Sequence, residues 1–276
     1  MVATKVATNS KLFPNGRWLL CRPDDYDVRY KINPWMDPSI VPEKQLAVKQ
    51  WENLHHHLLR LGAWVEYVTH EDGLPDMVFT ANAGLVRGKD VVLSRFRHQE
   101  RQGEEAFFKA WFTAEGFTVH ELSGVAFEGE GDALFVGDTL VGGCGFRSDE
   151  AAYPMIASLL SVPKIVTVNL VDPRFYHLDT CFCPLRDDLV MLYPGAFTSE
   201  SVKKLEQLGD VIAVTESDAK QFVCNAVVLG GDVVLPSGCT DTYRQLEARG
   251  FSPYPVALSE FIKAGGAAKC LSLRIA

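Results

Sequence analysis

Cys270, His177 and Glu128 put into one chain a nucleophile, a general acid and base, and a carboxylate that can bind a cation. Each stands in an apolar stretch, where a hydrogen-bonded core residue is the ordinary reading. Their spacing argues for more. With Asn82 and Asn225 they form the series Asn82, Glu128, His177, Asn225 and Cys270, whose members are 46, 49, 48 and 45 residues apart. Packing alone does not select five polar groups at so regular an interval. Arg101 and Arg147 keep a second register, each 19 residues after a member of the series, Asn82 and Glu128 respectively. Two arginines at matching places can clamp a carboxylate with forked hydrogen bonds.

An interval in the forties is the length of one supersecondary unit. Segments that read as buried strands run over Arg17 to Pro23, Asp90 to Phe96, Thr139 to Phe146, Asp188 to Gly195 and Asp232 to Gly238. A helical stretch follows each of them. In Glu43 to Leu61 the residues Leu46, Trp51, Leu54, Leu58 and Leu61 make one apolar stripe. The others are Glu104 to Ala114, Asp149 to Leu160, Ser199 to Leu208 and Asp241 to Arg249, with Gly116, Gly209 and Gly250 suited to helix C-termini. Short strands such as WVEYV and IVTVNL come next, and the strand opening each following unit carries the polar residue. Units of strand, strand, helix and strand cannot bury their own faces, so they are expected to pack side by side and close in a ring. Equivalent positions then face one axis, and the five polar groups converge. No linker rich in Pro, Ser or Gly interrupts the pattern, so residues 1–276 read as a single α/β domain.

The 276 residues are 47% hydrophobic and 22% charged, which excludes a disordered chain. Net charge is -8 and basic residues never run together, leaving no footprint for nucleic acid or an anionic membrane. The opening MVATKVATNS has no apolar run of signal length, and a cytoplasmic protein is expected. Seven cysteines lack CxxC pairing and read as free thiols, so neither a metal nor a cofactor is implied. The expected partner is a small molecule, with room for a homo-oligomer.

PDMVFTAN (Pro75 to Asn82), FEGEGDAL (Phe127 to Leu134), HLDT (His177 to Thr180) and GGAAKCLSLRI (Gly265 to Ile275) resemble, in this order and spacing, the pentein or guanidino-group-modifying superfamily. The resemblance covers nearly the full length and implies a five-bladed αβ-propeller of ββαβ pseudo-repeats. YDVRYKINPWM and FYHLDTCFCPL most resemble the arginine dihydrolase branch, which takes arginine to ornithine, carbon dioxide and ammonia. Dimethylarginine dimethylaminohydrolases and arginine deiminases, which stop at citrulline, are the alternatives. A non-catalytic ribosome-associated module on the same fold is the alternative of a different class. Carried over by position, Cys270 matches the nucleophile, His177 the general acid and base, Glu128 the guanidinium-binding carboxylate and Asp179 its partner in the HxD motif. Asp76 falls at an acidic or amide substrate position. FEGEGDAL is one residue longer than the EGGD form, which leaves Glu130 as an alternative to Glu128. Asn82 stands where deiminases typically carry Asp. An amide both donates and accepts, so it suits the neutral ureido group of citrulline and a second hydrolysis.

Asn33, in KINPWM, is read either as an Asn-Pro turn or as a substrate contact from a mobile loop. Cys181 and Cys183 alternate along a strand with Asp179 and are read as packing residues on the side of the active centre. Asn225 is given at most a structural role or one that supports the residues of the centre, and His55, His56 and His57 point three ways on a helix and are given none.

Overall fold

The computed structural model describes residues 15–276, so the opening stretch read for a targeting signal lies outside the described residues. Five three-stranded sheets follow one another along the chain as the blades of an αβ-propeller. In four of them two antiparallel strands, a helix and a third strand parallel to the second come in sequence order. The first of these four runs Gly84–Arg87, Asp90–Leu93, helix Glu104–Ala114 and Thr118–His120. Ala133–Val136, Thr139–Cys144, helix Ala152–Leu159 and Lys164–Asn169 repeat the plan. So do Phe182–Arg186, Leu189–Leu192, helix Ser199–Glu206 and Asp210–Ala213. Val227–Leu229, Asp232–Pro236, helix Thr240–Ala248 and Ser252–Val256 complete the four.

The remaining blade is built from both ends of the described chain. Arg17–Cys21, helix Lys44–Arg60 and Trp64–Val68 supply three parts. The fourth is Leu273–Arg274, which pairs antiparallel with Arg17–Cys21, Trp18 opposite Arg274 and Leu19 opposite Leu273. This pairing closes the ring.

Apolar residues between each helix and its sheet form the core. Helix Lys44–Arg60 is capped by the Glu43 side chain, which accepts from the N–H groups of Gln45 and Leu46, and it buries Ala47, Trp51, Leu54 and Leu58 against Trp18 and Leu20. Leu46, assigned to that stripe from sequence, is 37% exposed. Ala47, one turn before Trp51, takes the inward place because helical neighbours on a face lie three or four residues apart, and Leu46 is five away. Among the described residues no helix is long and apolar enough to cross a membrane.

The polar series does not sit within strands as expected. Asn82 lies in the 3-10 turn Thr80–Ala83, Glu128 just before Gly129–Gly131, and His177 just before Leu178–Thr180, which contains Asp179. Asn225 and Cys270 occupy the corresponding bends before the next two first strands. A short buried 3-10 turn has too few residues to show a period of its own, which is why it reads as part of the adjoining strand. Two glycines of FEGEGDAL make these turns fit together. Gly129 has φ +59°, and a Cβ there would meet the backbone oxygen of Ala81 at 2.7 Å. A Cβ on Gly131 would fall within hard contact of the Asn82 amide and 3.3 Å from the His177 ring.

Candidate active site

Cys270 is buried in its turn, and its thiol donates to Asp179 Oδ2 at 3.2 Å. The other carboxylate oxygen, Asp179 Oδ1, is buried without a hydrogen-bond partner. Asn225 touches the same sulfur, with Nδ2 3.0 Å from Sγ and 3.1 Å from the backbone oxygen of Asp179. The sequence reading had not placed it against the sulfur. Burial, reinforced by the charge of Asp179, pushes the Cys270 thiol well above its ordinary range. Burial also pushes Asp179 up to about 7, against the opposing pull of Lys269 and of the bonds from Cys270 and Asn225.

Glu128 is fully buried, and its Oε2 is shared between His177 Nε2 at 2.8 Å and Arg147 Nη1 at 2.9 Å. Oε1 accepts the backbone N–H of Arg97 at 3.1 Å. Burial would raise this acid, but Arg147 and His177 outweigh it and hold Glu128 well below the usual carboxylate range. An ionised carboxylate only accepts, which assigns the imidazole hydrogen to Nε2 and leaves the Nδ1 lone pair free to take a proton. His177 itself is lowered to about 4 by burial, against the opposing effect of Glu128, and is neutral near pH 7. Glu130 goes elsewhere. Its Oε2 accepts from Lys269 Nζ at 2.7 Å, and the pair lines a separate cavity with Cys183 and Arg274. The carboxylate brought to His177 is therefore Glu128.

A small, narrow cavity reaches the sulfur, lined by Asn33, Asp76, Asn82, Arg101, Arg147 and Cys270 among others. Asp76 Oδ2 accepts from the Tyr30 hydroxyl at 2.9 Å, while Asp76 Oδ1 is buried and unpartnered. Asn82 Oδ1 accepts from Arg101 Nη1 at 2.8 Å, and its Nδ2 donates to the backbone oxygen of Glu128 at 3.0 Å.

The two arginines are buried at this cavity but do not stand as a free pair of forks. Arg101 Nε and Nη2 donate to the two carboxylate oxygens of Glu104, each at 2.8 Å. Arg147 donates to Glu128 and to the backbone oxygen of Ile32 at 2.9 Å, and its guanidinium lies 4.6 Å from the Tyr176 ring centroid. The clamp read from the 19-residue offset is thereby narrowed to the N–H groups that these bonds leave over, since desolvated guanidinium groups need internal partners and these have them. Glu104, at the start of a helix, was missed. Burial pushes it up to about 7 despite Arg101, and the sequence signal that could have found it is its place three residues after Arg101.

Asn33 makes the turn and also lines this cavity. It is buried, its Oδ1 accepts from the N–H groups of Trp35 and Met36, and its Nδ2 donates to the Ala264 oxygen at 3.0 Å. Cys181 packs in the core with its thiol on the backbone oxygen of Leu178, and Cys183 faces the separate cavity, so neither joins the centre. His55 stacks on Trp51 and reaches the Tyr67 hydroxyl, whereas His57 turns toward Tyr254. Among the described residues no group of three or more His, Cys, Asp or Glu side chains is arranged to hold a metal ion.

Residues 33–276 match the family described as N,N dimethylarginine dimethylhydrolase, eukaryotic. The chain belongs to this dimethylarginine dimethylhydrolase family. Within it, the chain is 43% identical to the N(G),N(G)-dimethylarginine dimethylaminohydrolase of Mycobacterium tuberculosis, across 100% of this chain and 91% of the relative. It is 47% identical to the bifunctional arginine dihydrolase/ornithine cyclodeaminase AgrE of Nostoc sp., across 94% of this chain but only 38% of that protein. The chain thus spans less than two fifths of the length of this bifunctional relative. The N-terminal domain of ArgZ, an arginine dihydrolase of cyanobacteria, superposes with a TM-score of 0.91 at 47% identity over 94% of this chain and 98% of that one. It has been solved as a cysteine-to-serine variant bound to substrate, and as an asparagine-to-serine variant covalently bound to a reaction intermediate.

Proposed function

We propose that this protein is a cysteine-dependent hydrolase of the arginine guanidinium group that carries arginine to ornithine, carbon dioxide and two ammonia. The observation that carries the reading is the pair of buried, unpartnered carboxylate oxygens, Asp179 Oδ1 beside the sulfur and Asp76 Oδ1 on the cavity wall. Buried acceptors without donors are costly unless a ligand supplies them. A planar guanidinium satisfies Asp179 and brings its central carbon to Cys270, and an α-ammonium suits Asp76 at the far end. Arg147 and Nη1 of Arg101 offer the α-carboxylate their remaining N–H groups.

In the chemistry that follows, His177 takes the thiol proton and Cys270 Sγ bonds to the guanidinium carbon. Collapse breaks a C–N bond while His177 returns the proton to the departing ammonia, leaving a covalent thiouronium. His177 then takes a proton from water as the oxygen adds to that carbon, and the thiolate leaves and is reprotonated. The product is citrulline. Glu128 keeps the imidazole turned and stabilises its cationic form.

The relatives include enzymes named for arginine and for dimethylarginine, and Asn82 supports the dihydrolase reading. Because Arg101 occupies its oxygen and the Glu128 backbone oxygen takes one amide hydrogen, Asn82 offers a ligand its other amide hydrogen, which suits the ureido oxygen of citrulline. In a second round Cys270 Sγ adds to the ureido carbon and the second ammonia leaves with the proton that His177 returns; water then displaces the thiolate, and the carbamate so formed on the side chain loses carbon dioxide to give ornithine. Mass spectrometry of the products from L-arginine tests this, with dimethylarginine in parallel. Ornithine with two ammonia and no urea is expected from the parent protein, and citrulline from Asn82→Asp. Turnover of dimethylarginine alone, giving dimethylamine, replaces the reading with the methylarginine one.

A further inference from the structure

Asn225 occupies the repeat position to which the chemistry above gives no task, yet every edge of its carboxamide is engaged. Oδ1 accepts the backbone N–H of Cys270 at 3.0 Å and that of Ala267 at 3.1 Å. Nδ2 donates to the Asp179 backbone oxygen at 3.1 Å and to the Cys270 sulfur at 3.0 Å. The two backbone donors fix the turn of the amide, since flipping it would set N–H against N–H and oxygen lone pairs against sulfur. Asn225 is fully buried, so these bonds are not weakened by solvent.

A hydrogen bond to a charged acceptor is about twice as strong as one to a neutral acceptor, so a fixed donor on sulfur favours the thiolate. The titratable groups around Cys270 are Asp179 in the preceding repeat, Tyr176 just before it in the chain, and the Lys269–Glu130 pair beside it. Asp179 accepts from the thiol and works against the anion. Asn225 opposes that effect from the other side.

We propose that Asn225 is a catalytic residue of this centre: its amide N–H holds the Cys270 sulfur as the thiolate and fixes the line along which it attacks. The proposal rests on the reading of Cys270 as the nucleophile.

Asn225→Asp is the discriminating variant. It keeps the shape and both acceptances from the backbone, and replaces the donor by a carboxylate oxygen. Alkylation of Cys270 by iodoacetamide, located by peptide mass spectrometry, reads the thiolate without requiring turnover. The expected result is alkylation slowed about tenfold at neutral pH, with the midpoint of its pH dependence moved up by about one unit, in a protein that still melts cooperatively. An unchanged rate and midpoint overturn the role. If the aspartate variant does not fold, Asn225→Ala removes the donor without adding charge and is judged by the same two outcomes. Failure of the underlying reading has a separate signature, namely a Cys270→Ser protein that still releases ammonia from arginine.

Discussion

Asp179 holds the thiol of Cys270 by one carboxylate oxygen, 3.2 Å from Sγ, and leaves its other oxygen unpartnered and buried. The two residues come from different blades and are 91 positions apart in sequence. In the resting centre the acid and the thiol restrain each other. A cation arriving at Asp179 changes the balance for both, because it draws the carboxylate into a new ion pair and favours the anion of the nearby sulfur.

The first consequence is a pH profile. Burial pushes Asp179 up to about 7, so below that pH the free protein carries a neutral acid that cannot pair with a guanidinium. We expect kcat/KM for arginine to fall about tenfold per pH unit below neutrality and to level off above it. In Asp179→Asn that limb disappears, with kcat/KM reduced by about 100-fold or more on the plateau. A parent profile that is flat through the acid limb would exclude Asp179 as the titrating group.

His177 makes a prediction about stability. Burial lowers it to about 4, from the ordinary 6.5 that the unfolded chain retains. As pH falls through this window the unfolded chain binds a proton that the folded protein refuses. The contribution of His177 to stability is therefore full above pH 6.5 and is lost progressively toward pH 4. His177→Gln cannot titrate, so its melting temperature should drop less than that of the parent across the same acid range. Parallel declines, followed by circular dichroism, would refute the assignment.

Glu104 is the counter-ion that holds Arg101 at the cavity. Removing one partner of a buried pair leaves the other uncompensated, so Glu104→Gln should cost about 3–5 kcal/mol in urea unfolding. The guanidinium would also lose its orientation toward the substrate. We expect the KM for arginine to rise about tenfold with kcat changed much less, the pattern of lost uniform binding. A fall in kcat at constant KM would place Glu104 in the chemical step instead.

The sequence carried the plan of the centre because a repeat turns distance along the chain into proximity in space. Intervals of 45 to 49 residues identified Asn82, Glu128, His177, Asn225 and Cys270, and all five occupy equivalent turns before the first strands of their blades. Partnership was less legible than position. Arg101 and Glu104 lie three residues apart, a spacing shared with ordinary surface ion pairs, and only their burial by the surrounding blades makes the pair essential. The separation of Glu130 from Glu128 depends on how the 3-10 turn directs two nearby side chains, toward Lys269 and toward His177. The partners of Asn225 were hidden for a similar reason. Its contact with sulfur depends on the rotation of one amide, which spacing does not reveal.

The strand Leu273–Arg274 begins three residues after Cys270, and its pairing with Arg17–Cys21 locks the propeller. Maturation and ring closure are thus the same event. During synthesis Leu19 must wait for Leu273, so all the residues between them are made before that edge is covered. Pairing across so long a separation is slow, and an uncovered strand edge can meanwhile recruit another chain. A partly folded chain of this kind does not yet hold Cys270, the proposed nucleophile, in place, so on that reading catalytic competence reports that the ring has closed.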